Sequence, residues 1–125
     1  MAVARSLSIV VNNSSAVALQ IVSYLLRDGE WVDGARPQVG SILPSDSEGR
    51  YVNGAETRFK GVGGSIMLQP DRGGTIDISW SFAPAAAPSG SVTGAGLEGI
   101  SLSYALVAPQ TEHPQLQVQV LNAPG

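Results

Sequence analysis

The sequence predicts an all-β protein folded as an antiparallel two-sheet β-sandwich, and three observations lead to that prediction. Apolar and polar residues alternate over five segments, turn-forming residues separate the segments, and no segment has the period of an amphipathic helix. A strand that alternates in this way has one buried and one solvent-facing side, which is typical of antiparallel sheets. Because no helix is available to cover the buried sides, two sheets must pack against each other.

The chain has the length of a single domain, which we place at residues 1–125. A domain of this size buries roughly two-thirds of the surface that its unfolded chain exposes, so it needs no covalent staple. The sequence contains no cysteine, which excludes disulfides, zinc-thiolate sites and cysteine nucleophiles together.

Nine strands are expected, five of them from clear alternation. The five are residues 7–11, 17–22, 75–82, 100–106 and 115–121, and weaker patterns predict four more at 38–43, 49–52, 56–60 and 63–69. Trp80 is in phase with Ile76 and Ile78, so we expect it in the core. The strand at 115–121 carries no charge, and we expect it inside a sheet or covered by another subunit, because uncharged edge strands pair with other chains.

Two segments are expected to lie outside the strands. Residues 83–96, "APAAAPSGSVTGAG", are predicted to form one long loop, since their side chains are small and Pro84 and Pro88 block a helix. Residues 122–125, "NAPG", are predicted to form a frayed tail.

The stretch "LLRDGEWVDGARP" (25–37) places a tryptophan between two turns. Asp28-Gly29 and Asp33-Gly34 are both turn dipeptides, because glycine takes positive φ freely and aspartate tolerates it. Trp31 is therefore held on a short segment between them. Either it caps the end of the sandwich, or it lies at an interface with lipid headgroups, where indole rings are commonly found.

Charge and hydropathy exclude several functions. The formal net charge is −3 and only 14% of residues are charged, so no basic face is available for a nucleic acid or an anionic membrane. No stretch approaches the ~20 apolar residues of a membrane span, and the N-terminus lacks the pattern of a signal peptide. We therefore expect a soluble protein that is cytoplasmic or released without a cleaved signal.

Residues that could perform chemistry are sparse. The only histidine is His113, which any Ser-His-Asp triad would have to use. Asp28, Glu30 and Asp33 lack the spacing of a calcium loop, and "GVGGS" (61–65) lacks the lysine and the helix of a phosphate loop. We expect a protein that is not an enzyme and that binds no metal and no cofactor.

The order of short motifs carries a family resemblance. The strand "ARSLSIVVNNSS" is followed by "GEW", "SILP", "GVGGSIMLQ" and an Ile-x-Ile-x-Trp strand that leads to Pro84. This succession, over about residues 4–84, resembles the aegerolysin-like proteins, in particular their small bacterial branch, some of whose members are insecticidal crystal proteins.

The resemblance implies an acidic, cysteine-poor β-sandwich that binds membrane lipids, often sphingolipids. In some family members a larger perforin-like partner completes a pore, so the chain would be the targeting component of a toxin system. Two other readings remain open: an assembly subunit that forms homo-oligomers or packs on a larger protein, and a sugar-binding sandwich. The expected ligand-binding residues are Trp31, Glu30, Tyr51, Asn53 and Phe82.

Overall fold

Ten strands form two five-stranded sheets in the computed structural model, which describes residues 3–124. The sheets pack face to face, and no helix occurs among these residues, which confirms the all-β sandwich. The strands are β1 (Arg5–Asn13), β2 (Leu19–Asp28), β3 (Glu30–Trp31), β4 (Ile42–Leu43), β5 (Ser47–Ala55), β6 (Val62–Pro70), β7 (Thr75–Phe82), β8 (Ser89–Ala95), β9 (Ile100–Val107) and β10 (Gln115–Asn122).

The strand order is β3-β5-β1-β10-β9 in the first sheet, here sheet A, and β4-β2-β6-β7-β8 in the second, sheet B. Every pair is antiparallel except β1 and β10, where Ser8–Asn13 run parallel to Gln115–Val120. This pair corrects the expectation of purely antiparallel sheets. The two strands come from opposite ends of the sequence, so no local pattern indicates that they pair.

The core lies between the sheets and consists of the apolar side of each alternating strand. Trp80 is only 1% exposed, which confirms its predicted place. The largest fully buried side chains are Trp80, Leu7, Ile9, Leu19, Ile21, Ile66, Leu68, Ile76, Ile78, Leu116, Val11 and Val62.

The predicted loop at 83–96 is wrong in its second half, because residues 89–95 form β8. This strand pairs with β7 from Thr75↔Ala95 to Ser81↔Ser89. Its small residues hide the usual alternation, yet they have a packing reason. A side chain at Gly90 would lie 2.9 Å from the Leu116 side chain of sheet A, so glycine is what allows the two sheets to approach here.

Other boundaries also shift. Residues 56–60, expected as a strand, form the turn between β5 and β6, and the expected strand at 38–43 shrinks to the two residues of β4. Strand β10 lies between β1 and β9, so the expectation that it is internal is confirmed. The predicted tail begins inside β10 at Asn122, and Ala123 N donates to Gly99 O at 2.9 Å. Gly125, the end of that tail, lies outside the described residues.

Asn13 fixes the end of the sandwich at which β1 finishes. Its side chain is fully buried, and Nδ2 lies within 3.0 Å of the carbonyl oxygens of Val17, Leu43 and Pro44. Its Oδ1 accepts from the amide and the hydroxyl of Ser15 at 3.2 and 2.7 Å. One amide thus joins sheet A to the first turn and to the segment before β5.

We expect Trp80→Ala to lower the free energy of unfolding by ~3–5 kcal/mol, the range for removing a buried aromatic side chain. The substitution also leaves Asn53 Oδ1, which accepts from Trp80 Nε1 at 3.0 Å, without its donor. Urea denaturation followed by circular dichroism measures the loss. Trp80→Phe, which keeps most of the apolar volume, should cost less. An unchanged midpoint for Trp80→Ala would contradict the strand register.

Candidate functional site

One end of the sandwich, here the loop end, brings together three connections that are distant in sequence. Strand β1 starts there, and its Arg5 is opposite Ala55 at the finish of β5. The β5–β6 turn (56–61), the β7–β8 connection (83–88) and the β9–β10 connection (108–114) follow at this end. The turn at Gly29, with φ of 77°, lies beside them and leads into β3.

The guanidinium of Arg5 binds all three connections. Although charged, Arg5 is 4% exposed. Its Nη1 donates to Ala83 O and its Nη2 to Arg58 O, both at 3.0 Å. The Nη2 atom also lies 3.3 Å from a carboxylate oxygen of Glu112. A planar guanidinium donates to the two carbonyls from separate nitrogens, whereas a lysine has all its donors on one nitrogen.

Phe82 lies directly beneath this cation. The Arg5 guanidinium carbon is 4.2 Å from the centre of the Phe82 ring, a cation–π contact, and Phe82 is 5% exposed. The sequence placed Phe82 among the ligand-binding residues; the structure uses its ring to support Arg5 rather than to face solvent.

Asn53 is also used inside the protein. It is fully buried, and its Oδ1 accepts from Trp80 Nε1 at 3.0 Å. Its Nδ2 donates to the carbonyl oxygens of Asp28 and Glu30 at 3.2 and 3.1 Å. Asn53 therefore joins the core tryptophan of sheet B to the turn that carries Trp31, and no part of it is open to a ligand.

Trp31 covers the core at the side of the sandwich. Its half-buried ring meets Tyr24 edge to face at 5.6 Å and Trp80 at 6.0 Å between centroids. Its Nε1 is buried without a hydrogen-bond partner among the described residues. Outside it lies an open cleft of about 440 Å³, lined by Trp31, Val32, Asp33, Gly34, Arg36 and Gln38. The capping role expected for Trp31 fits this geometry, and the indole still borders a cleft.

Tyr51 packs into the core from β5 and is 8% exposed. Burial raises the pKa of the Tyr51 hydroxyl above its ordinary value of 10.0, because the phenolate would lose its hydration. Tyr51 is therefore a neutral core residue.

Glu30 is exposed and borders a pocket of about 260 Å³ at the loop end. Gly29, Glu30, Gly54, Ala55, Glu56 and Lys60 line this pocket. Within residues 3–124 the single salt bridge is Arg5–Glu112, so Glu30, Glu56 and Lys60 are not paired with any charged group there. The pocket thus offers both signs of charge to a ligand.

Phe59 is a further candidate binding residue that the sequence did not predict. Its side chain is 83% exposed, more than any other large apolar residue described, and it lies in the β5–β6 turn between Arg58 and Lys60. The turn is ordered by Thr57, whose hydroxyl accepts from Phe59 N at 3.3 Å, and by the Arg5 bond to Arg58 O. An aromatic residue between two cations, two positions before Gly61, was the signal available in the sequence.

Residues 3–124 show few features of a metal site or a membrane-spanning segment. They contain no group of three potential metal-ligating His, Asp or Glu side chains. They also contain no helix long and apolar enough to cross a bilayer. His113 Nδ1 lies 2.8 Å from Ser6 Oγ, where Ser6 is 7% exposed.

The loop end therefore presents three fixed connections, an exposed aromatic residue and a pocket lined by charges of both signs. No protein-family model and no curated protein matches the sequence. Solved structures do share its fold.

Three of these solved structures cover nearly the whole chain. IP-1A from Alcaligenes faecalis superposes with a TM-score of 0.75 at 16% identity, covering 98% of this chain and 94% of its own. RahU, solved with a TRIS molecule, gives 0.73 at 13% identity, with 99% of each chain covered. The lipid binding protein Nakanori gives 0.72 at 8% identity, covering 96% of this chain and 71% of its own. At these identities the likeness establishes the fold, and the aegerolysin-like family remains a prediction.

We expect Arg5→Lys to loosen the loop end. The ammonium group has one nitrogen in place of Nη1 and Nη2, so it does not reproduce the bonds to Ala83 O and Arg58 O, and a carbonyl left unpaired costs ~1–3 kcal/mol. Hydrogen exchange should accelerate in residues 56–61, 83–88 and 108–114, and the melting temperature should fall. Arg50→Lys, a matched change at an exposed position, should alter neither. Unchanged exchange in all three connections would show that Arg5 does not hold them.

We expect Tyr51→Phe to change how stability depends on alkaline pH. In the unfolded chain the Tyr51 hydroxyl ionises near its ordinary pKa of 10.0, whereas burial keeps it protonated in the folded protein. Its contribution is therefore fully present below pH 10.0 and is lost as the pH rises through the higher folded pKa. Urea titrations from pH 7 to 11 should show a steeper alkaline loss for wild type than for Tyr51→Phe. Parallel curves would contradict the buried hydroxyl.

Proposed function

We propose that the protein binds membrane lipids through its loop end, with Phe59 entering the interface. The observation that carries this proposal is an aromatic side chain 83% exposed at the tip of an ordered turn. A water-exposed phenylalanine has no role in the fold of the chain. Its transfer to an apolar environment is favourable by ~1.5–3 kcal/mol.

The flanking residues suit the same surface. Arg58 and Lys60 place cations at the depth of headgroup phosphates when the ring between them is inserted, and charge-assisted hydrogen bonds to phosphate are strong. Because Arg5 holds the Arg58 carbonyl, the tip is ordered before it meets the membrane. Less conformational entropy is then lost on binding.

The two-signed pocket favours a zwitterionic headgroup. Lys60 can bind a phosphate, while Glu30 and Glu56 can face a quaternary ammonium, and no protein charge competes for them within residues 3–124. A net charge of −3 works against anionic surfaces. The ligand class is therefore a phosphocholine lipid. The resemblance to aegerolysin-like proteins selects sphingolipids within it, and the fold shared with a lipid binding protein supports lipid as the ligand.

The same resemblance suggests what the attachment is for. A chain that recognises a headgroup and performs no bond chemistry can serve as the targeting component of a two-part pore-forming or insecticidal system. The larger perforin-like partner would then form the pore. IP-1A shares the fold over 94% of its own length, so the sandwiches of the two proteins are of similar size.

Vesicle co-sedimentation tests the proposal. Wild type should bind phosphatidylcholine vesicles that contain sphingomyelin and should bind phosphatidylglycerol vesicles less. Phe59→Ser should weaken partitioning about ten- to a hundred-fold, the equivalent of ~1.5–3 kcal/mol, with an unchanged melting temperature.

The matched control is Val39→Ser, because Val39 is 62% exposed but lies in the segment between β3 and β4, away from the Phe59 turn. Equal losses from the two substitutions would indicate nonspecific apolar adsorption. A wild-type protein that stays in the supernatant with every vesicle would refute lipid binding. Full binding by Phe59→Ser would move the contact away from the loop end.

A further inference from the structure

Two long edge strands lie next to each other on one side of the sandwich. Strand β8 has 7 residues and ends sheet B, and β9 has 8 residues and ends sheet A. Within residues 3–124 no strand pairs with the outer edge of either. Alternate residues of such an edge carry backbone N–H and C=O groups that another strand can bind.

The opposite side of the sandwich is closed. There the edge strands β3 and β4 have only 2 residues each, and the chain between them bonds to both sheets. Val32 N donates to Val52 O of sheet A at 2.9 Å, and Gly40 N donates to Ile21 O of sheet B at 2.8 Å. Very short edges covered by a loop are a common protection against strand pairing. The β8–β9 side lacks it.

The open side also lacks charge. Between Asp77 and Glu112 the sequence has a single charged residue, Glu98, in the turn that joins β8 to β9. Neither strand contains a lysine or a proline, the usual guards of an edge. Other charges come close only from neighbouring elements: Asp77 on β7 is opposite Thr93, Arg27 lines a pocket with Ser89 and Ser91, and Arg72 reaches Gly99. Strands β8 and β9 carry no charge themselves, so their edges cost little to desolvate.

The core-facing residues of β9 are incompletely covered. Tyr104 is opposite Val118, which is fully buried, so its ring is on the core side of sheet A, yet it is 47% exposed. Leu102 and Leu106, its neighbours on the same side of β9, are half-buried. On β8, Val92 is opposite the fully buried Ile78 and is itself half-buried. An apolar stripe therefore continues out of the core to this edge.

We propose that β9 pairs with β9 of a second copy of the chain, antiparallel and about a two-fold axis. The unpaired backbone N–H and C=O groups of an edge strand can form hydrogen bonds with another strand. A two-fold axis also brings every nearby charge next to its own copy. A chain of net charge −3 therefore associates with itself most readily where charge is absent. The two five-stranded A sheets would form one continuous sheet, and the stripe at Tyr104 would be covered.

The pairing has a defined register. Side chains directly opposite each other in an antiparallel pair lie on the same side of the sheet. Neighbouring residues of a strand face opposite sides of the sheet, so residue i cannot pair with residue i+1 of the second copy. In the β9–β9 pair, one residue must therefore lie opposite the same residue of the second copy, at the two-fold axis. At the middle of β9 this residue is Ser103 or Tyr104.

Sedimentation equilibrium of the full chain tests the proposal. Wild type should approach twice the 12.9 kDa monomer mass as concentration rises. Tyr104→Lys brings two like charges together at the axis and should return the mass to that of the monomer, with β-sheet circular dichroism retained because Tyr104 is half exposed. Gln119→Lys is the matched control. It adds the same charge to β10, next to β9 but inside the sheet, and should leave the dimer intact.

Crosslinking supplies a second measurement, which is clean because the chain has no cysteine of its own. Oxidation should convert Ser103→Cys or Tyr104→Cys into a covalent dimer and should leave Gln119→Cys monomeric. Wild type that stays monomeric at all concentrations would overturn the proposal. So would a dimer that Gln119→Lys dissociates, since that result places the contact on the face of sheet A. None of these outcomes depends on lipid binding.

Discussion

The structure of the loop end depends on the contacts that the buried guanidinium of Arg5 makes with three connections. A charge 4% exposed is stable only when it is neutralised and hydrogen-bonded, and this one finds its partners in Ala83 O, Arg58 O and Glu112. Three connections are thereby fixed by one side chain that belongs to the sheet. At the other end of the same strand Asn13 does the equivalent with an amide. Strand β1 therefore carries a buried polar residue at each end, and both sandwich ends are tied to it.

This arrangement separates what stabilises the protein from what it can bind. Three side chains that could bind a ligand make contacts inside the protein instead. Phe82 supports Arg5, Asn53 joins the sheets to the Gly29 turn, and Tyr51 fills the core. At the loop end, the side chains of Phe59, Lys60, Glu30 and Glu56 form no hydrogen bond or salt bridge within residues 3–124, and all four lie on the surface that Arg5 organises. A rigid support with unsatisfied groups at its tips is how β-sandwiches usually carry function.

The sequence could predict those parts of the structure that depend on periodicity. Alternation at Ile76, Ile78 and Trp80 requires one buried side, and the two Asp-Gly turns around Trp31 follow from glycine conformation. It could not predict β8, because two of the three core-facing residues of this strand, Gly90, Val92 and Gly94, have no side chain, so the apolar side is carried by Val92 alone. The parallel β1–β10 pair was equally hidden, since it joins the two ends of the chain.

The ligand-binding residues were harder to predict from the sequence for a different reason. Sequence chemistry indicates which residues can bind a ligand, but only tertiary packing decides whether they remain free to do so. Asn53 and Phe82 were reasonable candidates by type, and their burial depends on Trp80 and Arg5, which are distant in sequence. Phe59 was overlooked because residues 56–60 were assigned to a strand, where an aromatic residue needs no explanation.

The geometry of the fold sets a relation between lipid attachment and self-association. Strand β9 ends at the loop end, at Val107. Two copies joined through antiparallel β9 strands therefore direct their loop ends away from each other. Such a dimer can place one loop end on each of two facing bilayers, but it cannot place both on the same bilayer. If attachment uses the loop end and association uses β9, binding of many copies to one membrane favours the monomer, and membrane binding and dimer formation compete through orientation alone.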